Sequence, residues 1–277
     1  MRSGGHAGRS GGAVHRVLPP HRRRPDQGPA VALTPAPSSP PTLNLWKAGL
    51  RCVPEEVWGR EDWEVLILAD NHLTEIPPAI GRLRALHTLD LGHNALTRVP
   101  DEIGDLAGLT RCLYLHDNRL TALPDALGRL DRLGYLNIGG NPLDRLPETL
   151  GDLAGLVELR AQGAELRHLP TSVGRLGRLR ELWLRGNRLT DLPAGVGTLH
   201  ELRELELRDN ALPRVPEALR ALPLLRRVDL RGNRIAELPS WVAELPSLEK
   251  LDLRWNAVHD GAVAVRALRE RGCVVLA

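Results

Sequence analysis

The sequence contains very few aromatic residues. Its 277 residues include no phenylalanine, and tryptophan and tyrosine together make up 3% of the chain. Apolar residues nevertheless account for 42%, which is ordinary for a globular protein of a length that allows a sizeable core. The core must therefore consist of leucine and other aliphatic side chains, and the position of each aromatic ring carries information.

Long apolar runs are also missing. No run of 18 apolar residues occurs, and the longest early run, around residues 31–33, is too short for the hydrophobic region of a signal peptide. The three cysteines, Cys52, Cys112 and Cys273, are an odd, scattered set without metal-binding spacing. We therefore expect a soluble, reduced, monomeric protein of the cytoplasm.

Sequence signals of catalysis are absent as well. The chain has no GxxxxGK(S/T) loop for phosphate, no HExxH pair for zinc and no CxxC motif. No pair of carboxylates stands out as an acid–base couple. The sequence thus predicts a protein that is not an enzyme and that holds no cofactor.

Charge is distributed unevenly along the chain, whose net charge is +3. Residues 1–41 contain six arginines and one aspartate and carry +5, whereas the other 31 basic and 33 acidic residues carry −2. Since residues 1–41 are rich in Gly, Pro, Ser and Arg, we predict a disordered basic tail there. The tail is one alternative binding site, for nucleic acid or an anionic membrane, while we expect neither partner for the near-neutral remainder.

The rest of the chain is a repeat, of which residues 179–197 form one copy, LRELWLRGNRLTDLPAGVG. The position of Asn187 recurs every 23 residues, with one step of 24. Its ten occupants are Ala48, Asn71, Asn94, Asn118, Asn141, Ala164, Asn187, Asn210, Asn233 and Asn256. The pattern LxxLxLxxNxLxxLPxxIGxL resembles the leucine-rich repeat family, specifically its 23-residue bacterial and Ras-group-like type, over roughly residues 42–272.

The resemblance implies an α/β fold over residues 42–277. We expect a right-handed, horseshoe-shaped solenoid of ten repeats, with a concave parallel β-sheet and convex 3₁₀ or short helical segments. The physical pattern agrees, because leucines that alternate with period 2 predict a short strand, and one repeat can bury its leucines only by stacking on the next. The resemblance also implies a scaffold or regulator that binds protein partners, in some members signalling partners.

Each repeat is expected to be completed by two further residues, and the array by a cap. The asparagine side chain should bond to the backbone of the buried turn, and the proline after it should start the outer segment at its first helical position. At the end of the chain, over about residues 260–277, we predict a helix capped by Asp260 and running to about Arg271. Gly272 should follow it at the C′ position, and Val274–Leu276 should fold back over the last repeat.

The outward-facing strand residues form columns along the concave sheet. Both tyrosines and one tryptophan fall there, beside arginines, and these residue types dominate interface hot spots. The predicted partner-binding residues are Tyr114, Tyr135, Arg160, Trp183, Arg185, Glu206, Arg208, Asp229, Arg231, Asp252 and Arg254. The four arginines from Arg185 to Arg254 either pair with the neighbouring acidic column or contact an acidic loop of the partner.

Small residues cluster in the fifth and sixth repeats. They are Gly139, Gly140, Ala161, Gly163 and Ala164. We predict a shallow depression at this point, bounded by Tyr114, Tyr135 and Arg160 on one side and Trp183 on the other. The alternative is a decayed repeat that only changes the local curvature.

A metal or small-ligand site is a further alternative. Asp70, His93 and Asp117 occupy one column of neighbouring repeats, and Asp90 and His116 are nearby. Imidazole nitrogens and carboxylate oxygens are ligands for transition metals. The competing interpretation, a polar rim with ordinary hydrogen bonds, arises in any repeat array, and our main prediction contains no metal.

Overall fold

A computed structural model describes residues 40–277. The predicted tail lies outside the described residues except for its last two. The strands are β1 (Thr42–Asn44), β2 (Val65–Ile67), β3 (Thr88–Asp90), β4 (Cys112–Tyr114), β5 (Tyr135–Asn137), β6 (Glu158–Arg160), β7 (Glu181–Trp183), β8 (Glu204–Glu206), β9 (Arg227–Asp229), β10 (Lys250–Asp252) and β11 (Val274–Leu276). The α-helices are α1 (Glu55–Trp58) and α2 (Val263–Glu270). The 3₁₀ segments are Pro78–Arg82, Asp101–Asp105, Asp125–Arg129, Glu148–Asp152, Thr171–Arg175, Ala194–Thr198, Glu217–Ala221 and Ser240–Glu244.

The strands form one open, curved sheet in which all neighbours are parallel and follow chain order. The register aligns equivalent residues of successive repeats, as in Arg160 beside Trp183 and Trp183 beside Glu206. The predicted α/β solenoid with its columns is therefore confirmed. The sheet has eleven strands, because Val274–Leu276 pairs with β10 as a further parallel strand and does not fold over the last repeat.

The core is aliphatic along its whole length. In the repeat of β7, Leu182, Leu184 and Leu189 have no exposed surface. The N-terminal end is different, because Trp58 and Trp63 are almost completely buried there and close the first repeats. The indole N–H of Trp63 donates to the carbonyl of Val57, 3.3 Å away, so that the buried nitrogen has a partner.

The asparagine ladder forms as predicted. The amide nitrogen of Asn187 donates to the carbonyls of Ala161 and Leu184, both at 2.8 Å. Its amide oxygen accepts from the backbone N–H groups of Ala164 and Leu166, at 3.1 and 2.9 Å. Each such side chain satisfies the polar backbone of a buried turn and links two repeats.

The ladder is interrupted at Ala164. In the preceding repeat, the N–H of Leu120 donates to the side chain of Asn141. The equivalent N–H of Leu143 has no such side chain to reach and donates instead to the carbonyl of Asn141, 2.8 Å away within its own turn. The missing asparagine therefore removes one link between the fifth and sixth repeats.

In most repeats the proline directly precedes the outer segment. We had predicted that it would be the first residue of that segment. Pro193 has extended backbone angles, φ −62° and ψ 148°, and the 3₁₀ segment begins at Ala194. The carbonyl of Pro193 accepts from the N–H of Val196, 2.9 Å away. Proline thus fixes the extended residue that leads into the segment.

One position in every repeat has a left-handed backbone. It directly precedes the asparagine position, and its φ values run from 51° to 69°. Its occupants are Lys47, Asp70, His93, Asp117, Gly140, Gly163, Gly186, Asp209, Gly232 and Trp255. The turn explains the recurrence of glycine here, since glycine adopts positive φ without steric cost.

The helix of the C-terminal cap differs from the prediction at one residue. Helix α2 begins after Ala262, and no side chain caps it. Asp260 forms an ion pair with Arg269 at 2.7 Å instead. Gly272 follows the helix with φ +90°, which suits the predicted C′ position. None of the helices within residues 40–277 is long and apolar enough to span a membrane.

Candidate functional site

The concave face owes its side chains to strand alternation. In β7, Leu182 points into the stack, while Glu181 and Trp183 are half-exposed on the sheet surface. Backbone pairing with β6 and β8 fixes the spacing of these residues from their neighbours. A side chain on this face therefore contacts the equivalent residues of adjacent repeats, about 4.8 Å away.

Four half-buried residues form a continuous row across β4–β7, which we call the aromatic row: Tyr114, Tyr135, Arg160 and Trp183. The ring centres of the two tyrosines are 5.0 Å apart. The guanidinium carbon of Arg160 lies 5.9 Å from the ring centre of Tyr135 and 5.0 Å from that of Trp183. The structure thus brings four of the predicted residues into one contiguous patch.

Neighbouring carboxylates hold the end of the aromatic row in place. The guanidinium of Arg160 donates to Glu158, and the indole N–H of Trp183 donates to Glu181 at 3.1 Å. Partial burial raises the pKa of Tyr135 above its usual value. The phenol therefore stays neutral at physiological pH and offers both a donor and an acceptor to a partner.

The arginine ladder consists of Arg185, Arg208, Arg231 and Arg254, and its last two members pair with the acidic column. Arg231 makes hydrogen bonds to both carboxylate oxygens of Asp229, and Arg254 does the same to Asp252, at 3.0 and 2.7 Å. Burial acts to raise the pKa of Asp252, but the hydrogen bonds from Arg254 outweigh it and lower the value. Of the two interpretations, the structure supports self-pairing at these positions.

The first two arginines of the ladder share a carboxylate that the sequence interpretation missed. Asp209 lies 3.5 Å from Arg185 and 3.1 Å from Arg208. Trp255 was missed in the same way, and its exposed ring lies beneath the guanidinium groups of Arg208 and Arg254. Both residues occupy the left-handed position, which lies outside the strand alternation that we followed. The sequence signal that could have identified them is that this position recurs directly before the asparagine position in every repeat.

Glu206 differs from the other predicted acidic residues. Among residues 40–277, no basic side chain lies within ion-pair distance of its carboxylate. Burial, followed by the negative charge of Asp229, raises the pKa of Glu206. Its negative charge is thus less well compensated than that of Asp229 or Asp252.

Two of the five small residues at the fifth and sixth repeats, where we predicted a depression, do not lie on the concave surface. Ala161 and Ala164 are completely buried, because Ala161 takes an inward leucine position and Ala164 takes the asparagine position. A depression of about 230 Å³ lies instead across β7–β10. It is lined by Trp183, Glu204, Leu205, Glu206, Arg227, Val228, Asp229, Arg231, Lys250 and Asp252. Trp183 therefore joins the aromatic row to this depression.

A second cluster lies at the other end of the aromatic row. The imidazole rings of His93 and His116 meet edge to face, with centres 4.7 Å apart, and His116 also contacts Tyr114 at 5.9 Å. His93 Nδ1 is 3.4 Å from a carboxylate oxygen of Asp117. Burial, and then the proximity of His93, lower the pKa of His116, so its ring is neutral at physiological pH.

Three family models match the chain. They describe a leucine rich repeat at residues 64–120, a leucine-rich repeat region at residues 125–212 and a leucine rich repeat at residues 244–264. They do not distinguish the 23-residue subtype, which stays a prediction. A search of curated proteins found no significant match.

Many solved structures resemble the chain. A leucine-rich repeat protein of Leptospira interrogans is 28% identical with a TM-score of 0.65, and the match covers 82% of this chain and 69% of that protein. The plant peptide hormone receptor RGFR1, solved in complex with RGF2, is 33% identical with a TM-score of 0.66 over 74% of this chain. The ectodomain of the Arabidopsis thaliana receptor kinase GASSHO1, in complex with CASPARIAN STRIP INTEGRITY FACTOR 2, is 29% identical with a TM-score of 0.60 over 78% of this chain. This chain spans only 34% and 30% of the two plant proteins.

Proposed function

We propose that this chain, which belongs to the leucine-rich repeat family, is a non-enzymatic module that binds a protein partner on its concave face. The two plant structures similar to it were solved with the partners RGF2 and CASPARIAN STRIP INTEGRITY FACTOR 2. Those partners belong to those receptors. They support protein or peptide binding as the class of function for this chain, and its own partner must be found by experiment.

The observation that carries the proposal is the aromatic row. In a chain with 3% aromatic residues, both tyrosines lie on the concave face and stack into one patch with Arg160 and Trp183. Each is half-buried, and hydrogen bonds to neighbouring carboxylates hold Arg160 and Trp183 in place. Tyr, Trp and Arg are the residue types that dominate interface energetics, and side chains that are already held in place lose less conformational freedom on binding.

The partner we propose presents a basic side chain next to an apolar one. The depression across β7–β10 begins at Trp183 and contains Glu206, which forms no ion pair with any basic side chain among the described residues. A lysine or arginine of the partner would compensate this charge and lie near the indole ring. An apolar side chain of the partner would pack on Tyr114 and Tyr135.

The arginine ladder is a minor contributor in this proposal. Arg231 and Arg254 already bind two carboxylate oxygens each, and Arg185 and Arg208 share Asp209. A partner carboxylate would have to displace these pairs to reach the guanidinium groups. We therefore expect binding to depend mainly on the aromatic row and only weakly on salt concentration.

A capture experiment tests the proposal. The full chain, immobilised, should retain one or more specific proteins from a lysate of its source cells. The double variant Tyr135→Ala/Trp183→Ala should lose them, whereas Arg82→Ala, which alters an exposed residue of an outer 3₁₀ segment, should keep them. Equal capture by all three proteins would contradict a concave binding site.

A further inference from the structure

We propose that His93, His116 and Asp117 bind a divalent transition-metal ion, with Zn²⁺ as the best fit. Each of the three residues offers one ligand atom, and these atoms all lie within 4.8 Å of one another. Two imidazoles and a carboxylate are a ligand set suited to zinc and to neighbouring first-row metals, and three protein ligands leave the fourth position open.

The distances already approach those of a metal site. Ligand atoms about 2.1 Å from a tetrahedral ion lie about 3.4 Å from each other. His93 Nδ1 and the carboxylate oxygen of Asp117 are 3.4 Å apart. The ligand atom of His116 lies within 4.8 Å of both, and rotation of this side chain toward them completes the triangle.

The backbone holds the three residues together independently of any ion. The N–H of His93 donates to the carbonyl of His116 at 2.9 Å, and the N–H of Asp117 donates to Gly139 at 2.8 Å. Neighbouring repeats thus present the ligands in a fixed register, which lowers the cost of assembling the site.

One ring nitrogen of His116 lacks a hydrogen-bond partner among the described residues. Its Nδ1 is buried and makes no hydrogen bond to any of residues 40–277. The ring lies against Gly92, where an added Cβ would be 2.3 Å from Cε1 of His116. Glycine at this position therefore makes room for the imidazole. A buried nitrogen without a partner is costly, and rotation onto a metal ion would give this ring one.

The electrostatic surroundings favour a cation. No lysine or arginine occurs at the concave positions of β2–β5. These positions are the outward strand residues, the residue two positions after each strand and the left-handed residue. The negative charges of Asp70 and Asp90 act on the His116 ring together with that of Asp117. From β7 onward, by contrast, every repeat supplies an arginine of the ladder. The concave face thus has a segment without arginines of the ladder, across β2–β5, and a segment from β7 onward that contains all four.

Zinc titration of the full chain, freed of metal by a chelator, tests the site. Calorimetry and native mass spectrometry should show one Zn²⁺ bound at the cluster and a higher melting temperature, and Mg²⁺, which prefers oxygen ligands, should not compete at equal concentration. His116→Ala and Asp117→Asn should each weaken this binding at least tenfold. Asp117→Asn keeps the size of an exposed side chain and tolerates the left-handed backbone, so it tests the ligand without disturbing the fold.

The control variant is His168→Ala, which removes an exposed histidine far from the cluster in sequence and should bind zinc like the parent. The proposal is overturned if the parent binds no Zn²⁺, if His116→Ala and Asp117→Asn bind it with unchanged affinity, or if Mg²⁺ displaces it at equal concentration.

Discussion

The guanidinium of Arg160 lies 5.0 Å from the ring centre of Trp183 on the adjacent strand. The register of β6 and β7 places the two residues directly side by side, and Arg160 reaches Tyr135 on its other side. The repeat of β7 follows the common leucine pattern, with Leu179, Leu182, Leu184, Leu189 and Leu192. Its distinguishing residue, Trp183, is where the aromatic row meets the depression.

The interrupted ladder gives a prediction about stability. Asn187→Ala should lower the free energy of unfolding by at least about 2 kcal/mol, because it leaves two buried N–H groups and two carbonyls without their side-chain partner. Ala164→Asn should raise the stability by about 1 kcal/mol, because the new side chain restores the link to the N–H of Leu143. Denaturant titrations measure both changes. A destabilising Ala164→Asn would show that this repeat has no room for the ladder.

The left-handed position gives a matched pair of glycine variants. An added Cβ at Gly186 would meet nothing closer than 3.7 Å, so Gly186→Ala tests the backbone conformation alone, with φ at +69°. We expect it to cost about 1 kcal/mol of stability. Gly177→Ala is the control, since it has open space and no positive φ, and it should be neutral or slightly stabilising. Thermal melting distinguishes the two variants, and equal effects would contradict the turn assignment.

The raised pKa of Glu206 gives a prediction about pH. Since burial and Asp229 raise this pKa, ionisation of Glu206 destabilises the folded state at neutral pH. The effect vanishes once pH falls below about 4, where the carboxyl is protonated in both the folded and the unfolded chain. Glu206→Gln should therefore raise the melting temperature at pH 7 and leave it unchanged below pH 4.

The control for this experiment is Glu237→Gln, which alters an exposed glutamate and should change the melting temperature at neither pH. If Glu206→Gln shifted the melting temperature equally at both pH values, the change would come from packing, and the assignment of a poorly compensated charge would be wrong.

Features that repeat with the 23-residue phase could be predicted from the sequence. The strands, the inward leucines, the asparagine ladder and the columns follow from one copy, since every later copy must stack on it. The aromatic row also followed, because Tyr114, Arg160 and Trp183 share a column and Tyr135 lies in the adjacent one.

Features that depend on local competition could not be predicted in this way. Asp260 pairs with Arg269 rather than capping α2, and Arg185 reaches Asp209 rather than Glu206. Such choices depend on side-chain rotamers and on several carboxylates within reach of one arginine. The placement of Ala161 at a surface depression was wrong for another reason: we grouped small residues by sequence proximity, although strand alternation points Ala161 into the core.

The affinity of the captured partner for three forms of the full chain shows whether the partner binds on the aromatic row. Calorimetry should show that Tyr135→Ala/Trp183→Ala weakens binding at least tenfold, about 1.4 kcal/mol, while its melting temperature stays close to that of the parent. Arg82→Ala should bind with the parental affinity. If the double variant bound like the parent, or if Arg82→Ala lost binding to the same extent, the partner would not lie on the aromatic row, and the proposed concave binding site would be contradicted.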